Sequence, residues 1–103
     1  MEIEKNKGAE LKEIFFSLHA RLQMSLRGAS EEEVIKAVTA GQWKSAKQGK
    51  LQSQQAFDFN KEALTNMKFY KFKIVEPIFA EEAERVVIIT VKVYYSNTEE
   101  VQK

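Results

Sequence analysis

The chain has 103 residues, of which 44% are hydrophobic and 30% charged, a composition typical of one globular domain. It contains no cysteine, which excludes disulfide bonds and thiolate metal sites. The longest apolar runs, such as 86–89, are much shorter than a membrane span, and the charged N-terminus lacks the apolar region of a secretory signal. We therefore expect a cytoplasmic protein without a membrane partner. A single domain should cover 1–103, with an ordered core at about 9–96 and polar tails on both sides.

The first predicted element is an amphipathic helix from Ala9 to Arg27, preceded by a frayed segment at 1–8. Apolar residues recur in this helix at a spacing that fills one arc of its surface, and we expect that arc to face the core. They are Leu11, Ile14, Phe15, Leu18, Leu22 and Leu26. Gly28 should end the helix, because glycine adopts the left-handed conformation common just past a helix end.

A second helix follows at once. Ser30 and Glu33 have the spacing of a capping box, and three successive glutamates suit the positive end of a helix dipole. Val34, Ala37 and neighbouring apolar residues supply a buried side, and Gly41 should end the helix.

Beyond Gly41 the sequence favours strands, because apolar and polar residues alternate and β-branched and aromatic residues become frequent. We expect strands near 42–47, 51–59, 67–76 and 86–95. The intervening turns at 60–66 and 80–85 are too short for a crossover helix, so the sheet should be antiparallel. Pro77 should mark a strand end or a bulge, and the last strand should be central and buried on both faces. The predicted fold class is α+β, with two N-terminal helices packed on an antiparallel sheet of about four strands.

The only histidine, His19, shares one helical row with Gln23 and Arg27. Histidine is the side chain that most readily exchanges a proton near neutral pH, so His19 could act as a general acid or base. Arg27 could hold a phosphate through two hydrogen bonds. His19 and Arg27 are therefore the candidate catalytic residues. The alternative is a structural histidine at the rim of the core, bonded to a strand carbonyl.

The middle of the chain is basic. Residues 42–75 contain seven lysines against Asp58 and Glu62, whereas the segments on either side are net negative. Cations interleaved with aromatic residues could follow phosphates and stack bases, although a solvated lysine-rich sheet face would give the same pattern. The candidate nucleic-acid-binding residues are Lys44, Lys47, Lys71 and Lys73. The interleaved aromatic residues include Trp43, Phe57, Phe59, Phe69, Tyr70 and Phe72.

The sequence offers little for a metal or a cofactor. One histidine and no cysteine argue against a transition-metal site. The glycines are too dispersed for a phosphate-binding loop, and the three glutamates within 81–84 fall in a predicted solvated turn. We expect neither a metal nor a cofactor.

Three segments resemble a bacterial family of short domains of unknown function: 19–34, 70–79 and 87–95. The family pattern is approximately His-Ala-x-x-Arg-Met-x-x-Arg-Gly-Ile-Ser, followed by a second helix and a late Val-Ile-Thr-Val-Tyr strand. The chain matches the pattern at His19, Ala20, Met24, Arg27, Gly28 and Ser30. It departs from it at Gln23, Ala29 and Lys92.

That family is distantly similar to the RelE and BrnT type toxins, small α+β proteins that cleave messenger RNA. The resemblance implies transfer of an RNA 2′-hydroxyl onto the adjacent phosphate, with His19 as acid or base. Arg27, Lys71 and Lys73 would stabilise the phosphate charge. RNA and a cognate antitoxin-like protein are the implied partners. The alternative hypothesis is a non-catalytic protein-interaction module, either a homodimer or an accessory to a neighbouring protein.

Overall fold

The computed structural model describes residues 12–98, which form two helices, six strands and a short 3-10 turn at Lys47–Gly49. In chain order the elements are β1 (Glu13–Phe16), α1 (Leu18–Arg27), α2 (Glu31–Ala40), β2 (Lys44–Ser45), β3 (Leu51–Gln52), β4 (Gln55–Glu62), β5 (Phe69–Glu81) and β6 (Arg85–Ser96). The expected frayed segment at 1–8, the predicted helix residue Leu11 and the end of the polar tail at 99–103 lie outside the described residues.

The fold class is α+β with N-terminal helices, as predicted, but the sheet is larger than expected and mixed. Its strand order is β1-β6-β5-β3-β2, and β4 also pairs with β5. β1 runs parallel to β6, whereas the other strand pairs are antiparallel. The expectation of a purely antiparallel sheet is therefore wrong, and the sheet has more than the expected number of about four strands. Two differences account for this: residues 13–16, which fall within the predicted helix, form β1, and the predicted strand at 51–59 is divided into β3 and β4.

Ser17 separates β1 from α1 and explains that difference. Its backbone is extended and its side chain accepts a hydrogen bond from the amide of Ala20, so it is the N-cap of α1. Its own amide and hydroxyl donate to the carbonyls of Ile88 and Ile89 on β6. The helix therefore begins at Leu18 rather than Ala9, because Ser17 caps the helix and also bonds to the sheet.

The junction between the helices is as predicted. Gly28 adopts a left-handed conformation with φ of 86° and its amide bonds to the carbonyl of Met24. Ser30 and Glu33 form both hydrogen bonds of the capping box, at 3.1 and 3.0 Å. Gly41 ends α2, as expected. These features depend on neighbours in the chain and were therefore visible in the sequence.

Pro77 lies inside β5, and the strand continues to Glu81. The carbonyl of Pro77 accepts a hydrogen bond from the amide of Ser53, so the proline nitrogen also faces the interruption between β3 and β4, where no ladder donor is required. A register shift with β6 follows directly, between Ile78 and Phe79. The prediction of a strand end is wrong, whereas a bulge does lie beside the proline.

The helices cover one face of the sheet, and the core lies between them. Its members are Phe16, Ala20, Met24, Val34, Val38, Val75, Phe79, Val86, Ile88 and Val91. β6 is central, but it is not buried on both faces, because Lys92 is exposed and Val87 and Ile89 are only half-buried. Within residues 12–98, neither helix is long and apolar enough to span a membrane.

Candidate functional site

The outer surface of α1 carries an exposed row of leucines, which we call the leucine face: Leu18, Leu22 and Leu26. Their exposed fractions are 76%, 56% and 74%. The inward side of α1 is instead formed by Ala20 and Met24, at 0% and 5%. The prediction that the leucines pack on the core is therefore wrong. Three large apolar side chains one turn apart form a continuous patch that a monomer rarely leaves exposed.

His19 lies on the same outer side of the helix. At about 100° per residue it is rotated only about 20° from Leu26, and its side chain is exposed. The structure therefore places His19 beside the leucine face rather than at the rim of the core.

Arg27 connects α1 to the sheet. One of its guanidinium nitrogens, Nη1, donates to the carbonyl of Val91 at 2.9 Å, and its own carbonyl accepts from the hydroxyl of Tyr95 at 2.9 Å. Arg27 is eight residues from His19, a rise of about 12 Å along the helix. The two candidate catalytic residues therefore do not meet at one phosphate-sized site.

Lys73 is buried beneath the junction between the helices. Its ammonium group donates to the carbonyl of Gly28 at 2.7 Å and lies 2.9 Å from Glu33 Oε1. The same carboxylate oxygen accepts the capping-box bond from Ser30. The position of Lys73 on the helix-covered face of β5 gives its charge an internal partner, so it holds the helix junction against the sheet.

The other three predicted lysines are exposed, but Lys71 lies far from Lys44 and Lys47. Lys44 pairs with Gln52, which in turn pairs with Ile78 on β5. Lys71 lies seven residues from Ile78 along the same strand, a distance of about 23 Å. Lys47 is in the 3-10 turn beyond β2. The structure does not bring Lys71 into one patch with the other two lysines, and the role of all three in binding nucleic acid stays a prediction.

A cavity of about 320 Å³ opens between the end of α1 and the β4–β5 hairpin; we call it the hairpin cavity. The side chains that matter most for its chemistry are Leu26, Arg27, Phe59, Lys61, Lys73 and Tyr95. It therefore brings together two of the predicted site residues, Arg27 and Lys73, but not His19. Leu26 belongs both to this cavity and to the leucine face, so the two surfaces are continuous.

The aromatic wall of the hairpin cavity was only partly predictable. Phe59 stands among the aromatic residues that the sequence placed between lysines, but Tyr95 was assigned only to a strand. Their ring centroids are 5.1 Å apart. Lys61 Nζ and Lys73 Nζ lie 5.2 and 5.7 Å from the Phe59 ring centre. Phe59 and Tyr95 come together because β4 and β6 both pair with β5, and no local sequence pattern indicates that arrangement.

Burial raises the pKa of Tyr95 above its ordinary value of 10.0, and the negative charge of Glu33 raises it further. The unfolded chain therefore releases this proton at a lower pH than the folded protein does. The resulting stability is fully present below pH 10 and is lost as the pH rises through the folded pKa. We expect the free energy of unfolding of Tyr95→Phe, measured by urea denaturation, to fall less steeply above pH 10 than that of the original protein. Equal alkaline slopes in the two proteins would contradict this assignment.

The helix-free face of the sheet contains one buried acid that the sequence did not single out. Glu76 is 2% exposed, and its Oε2 accepts a hydrogen bond from Gln52 at 3.0 Å. Burial and the nearby Glu76 charge raise the pKa of Tyr94. In the described part of the chain, no group of three or more histidines or acids is placed to hold a metal ion.

No family model, curated protein or solved structure gives a significant match to the chain.

Proposed function

We propose that the protein is a non-catalytic interaction module that binds an amphipathic helix of a partner through the leucine face. The observation that carries the proposal is the exposure of Leu18, Leu22 and Leu26 on the side of α1 opposite its buried residues. Burying one such leucine contributes about 1.5–3 kcal/mol. A row with a spacing of four residues is also the pattern that apolar side chains of a second helix can interlock with.

The charged residues of α1 indicate which kind of helix would bind the leucine face. α1 contains Arg21 and Arg27 but no acidic residue, although Arg21 is paired with Glu31 of α2 and Arg27 donates one hydrogen bond to the Val91 carbonyl. A second copy of the chain would bring α1 cations against α1 cations, which disfavours a homodimer through this face. A helix whose apolar row is flanked by aspartate or glutamate would complement the surface, and it is the occupant we propose.

The arrangement of polar groups supports a non-catalytic role. Arg27 and Lys73 already bond to the carbonyls of Val91 and Gly28, and His19 lies about two turns from Arg27. A general acid or base must reach the same reacting group as its electrostatic partner. These residues are better explained as supports for α1 and as part of its outer surface.

Substitution of one leucine should separate binding from folding. The probe is a labelled synthetic amphipathic helix of about five turns with a leucine row flanked by glutamates; a second peptide carries lysines instead. We expect the acidic peptide to bind and Leu22→Gln to weaken it by at least about tenfold, because one buried leucine is lost from the interface. The thermal midpoint of Leu22→Gln should stay within about 2 °C of the original, since Leu22 is exposed in the free protein.

Fluorescence anisotropy of the peptide measures this effect, with Ile35→Gln as the matched control. Ile35 is exposed at 37% but lies on α2, so its replacement should leave binding unchanged. Equal binding of the acidic and basic peptides would contradict the proposed partner, as would a stable dimer in light scattering that Leu22→Gln dissolves. Binding of an oligoribonucleotide with a steep salt dependence that His19→Ala abolishes would favour the RNA-directed hypothesis instead.

A further inference from the structure

We infer that the hairpin cavity binds a small organic monoanion that carries a flat aromatic ring. This inference does not rest on the partner helix: although the two surfaces share Leu26, the aromatic rings and the cations of the cavity lie outside the leucine face. It rests on three features of the cavity: its apolar wall, the balance of its charges and the prior pairing of its backbone carbonyls.

The apolar wall suits a ring. Phe59 and Tyr95 meet at an interplanar angle of 50°, and Leu26 and Leu64 line the same cavity while exposed at 74% and 89%. A ring inserted here would therefore cover apolar surface that otherwise faces water. Since benzene occupies a protein cavity of about 150 Å³, a volume of about 320 Å³ accommodates a single or fused ring with an acidic group.

The charges of the cavity favour an anion with one negative charge. Arg27, Lys61 and Lys73 line it together with Glu62, and Lys73 is already paired with Glu33. Arg27 uses Nη1 for the Val91 carbonyl, and its other N–H groups have no acceptor among residues 12–98. Apart from Lys73, two cationic residues and one carboxylate residue therefore line the cavity, which leaves the charge of a monoanion to be balanced.

The end of a helix normally repels an anion, because its last carbonyls are unpaired and partly negative. At this cavity two of them are already occupied. The carbonyl of Arg27 accepts from the Tyr95 hydroxyl, and that of Gly28 accepts from Lys73. The usual repulsion at the C-terminus of α1 is thus reduced where the anion would lie.

Titration with naphthoate, followed by amide NMR shifts of the full chain, tests the inference. We expect a dissociation constant on the order of 1 mM, with the shifts concentrated at 25–28 and 59–65. Acetate, which lacks the ring, and naphthylmethylammonium, which carries the opposite charge, should each bind at least about fivefold more weakly.

Substitution at one exposed lysine locates the anion. Lys61→Gln should weaken naphthoate roughly fivefold, whereas Lys68→Gln, in the same hairpin but outside the cavity lining, should leave it unchanged. The inference would be overturned by equal binding of the ammonium compound, by an unchanged affinity of Lys61→Gln, or by shifts centred on Leu18 and Leu22. Absence of shifts at 25–28 and 59–65 would overturn it as well.

Discussion

Replacing Gly41 with alanine should lower the free energy of unfolding by about 3 kcal/mol. The backbone at Gly41 has φ of −78°, so the requirement for glycine is spatial rather than conformational. An added Cβ would lie 2.4 Å from the carbonyl oxygen of Ala37 and 2.9 Å from that of Gln54. The Ala37 oxygen cannot withdraw easily, because it accepts from the Gly41 amide and from the Ser53 hydroxyl. Urea denaturation at neutral pH measures the loss.

Gly49→Ala is the matched control. Gly49 has a positive φ of 74°, but an added Cβ would meet no heavy atom within 4 Å. Its replacement should therefore lower the free energy of unfolding only through the strain of alanine at positive φ, about 1–2 kcal/mol. If Gly41→Ala proves no more destabilising than Gly49→Ala, the carbonyl oxygens of Ala37 and Gln54 do not restrict the space at position 41.

Lys73→Met should lower the free energy of unfolding by about 3 kcal/mol at pH 7. Methionine retains much of the apolar length of the side chain, so the decrease in the free energy of unfolding reports mainly the removal of the ammonium group. Without it, the Gly28 carbonyl loses a donor at 2.7 Å, and the partly buried Glu33 loses its cation at 2.9 Å. The substitution should also weaken the attachment of the helix junction to the sheet, since both acceptors lie at that junction.

A double-mutant cycle with Glu33→Gln separates the ion pair from the rest of the effect. The coupling energy between positions 33 and 73 should be about 1–2 kcal/mol, because both side chains are mostly shielded from water. Lys44→Met, at an exposed position, should change stability by no more than about 0.5 kcal/mol. A coupling energy near zero, or equal effects of Lys73→Met and Lys44→Met, would show that Lys73 is not a structural tie.

The helix junction could be predicted in detail, because every group in it is close in sequence. Gly28 needs only its own freedom to adopt positive φ, and the Ser30–Glu33 box needs only one turn of helix. The face of α1 could not be predicted in the same way. Its leucines form a regular apolar row, and apolar periodicity indicates a buried face without showing whether this chain or another molecule covers it.

In the candidate site, too, residue types could be read from the sequence but their tertiary surroundings could not. Lys71 and Lys73 have the same charge and lie two residues apart on β5, so the sequence could not rank them. In the structure Lys71 is exposed, whereas Lys73 is buried against the helix junction. The hairpin cavity likewise depends on residues from α1, β4 and β6 that lie up to about seventy positions apart.

The sequence by itself therefore determined the local features of this protein: the α+β class, the capped helix junction, the end of α2 and the strand-rich second half. Hydrogen bonds and dihedral preferences between near neighbours control these features. Only the tertiary structure decided that residues 13–16 join the sheet, that the leucines face outward and that Lys73 is an internal cation. Each of these depends on which distant segment becomes the neighbour, and that is settled by competition among whole packing arrangements rather than by local propensity.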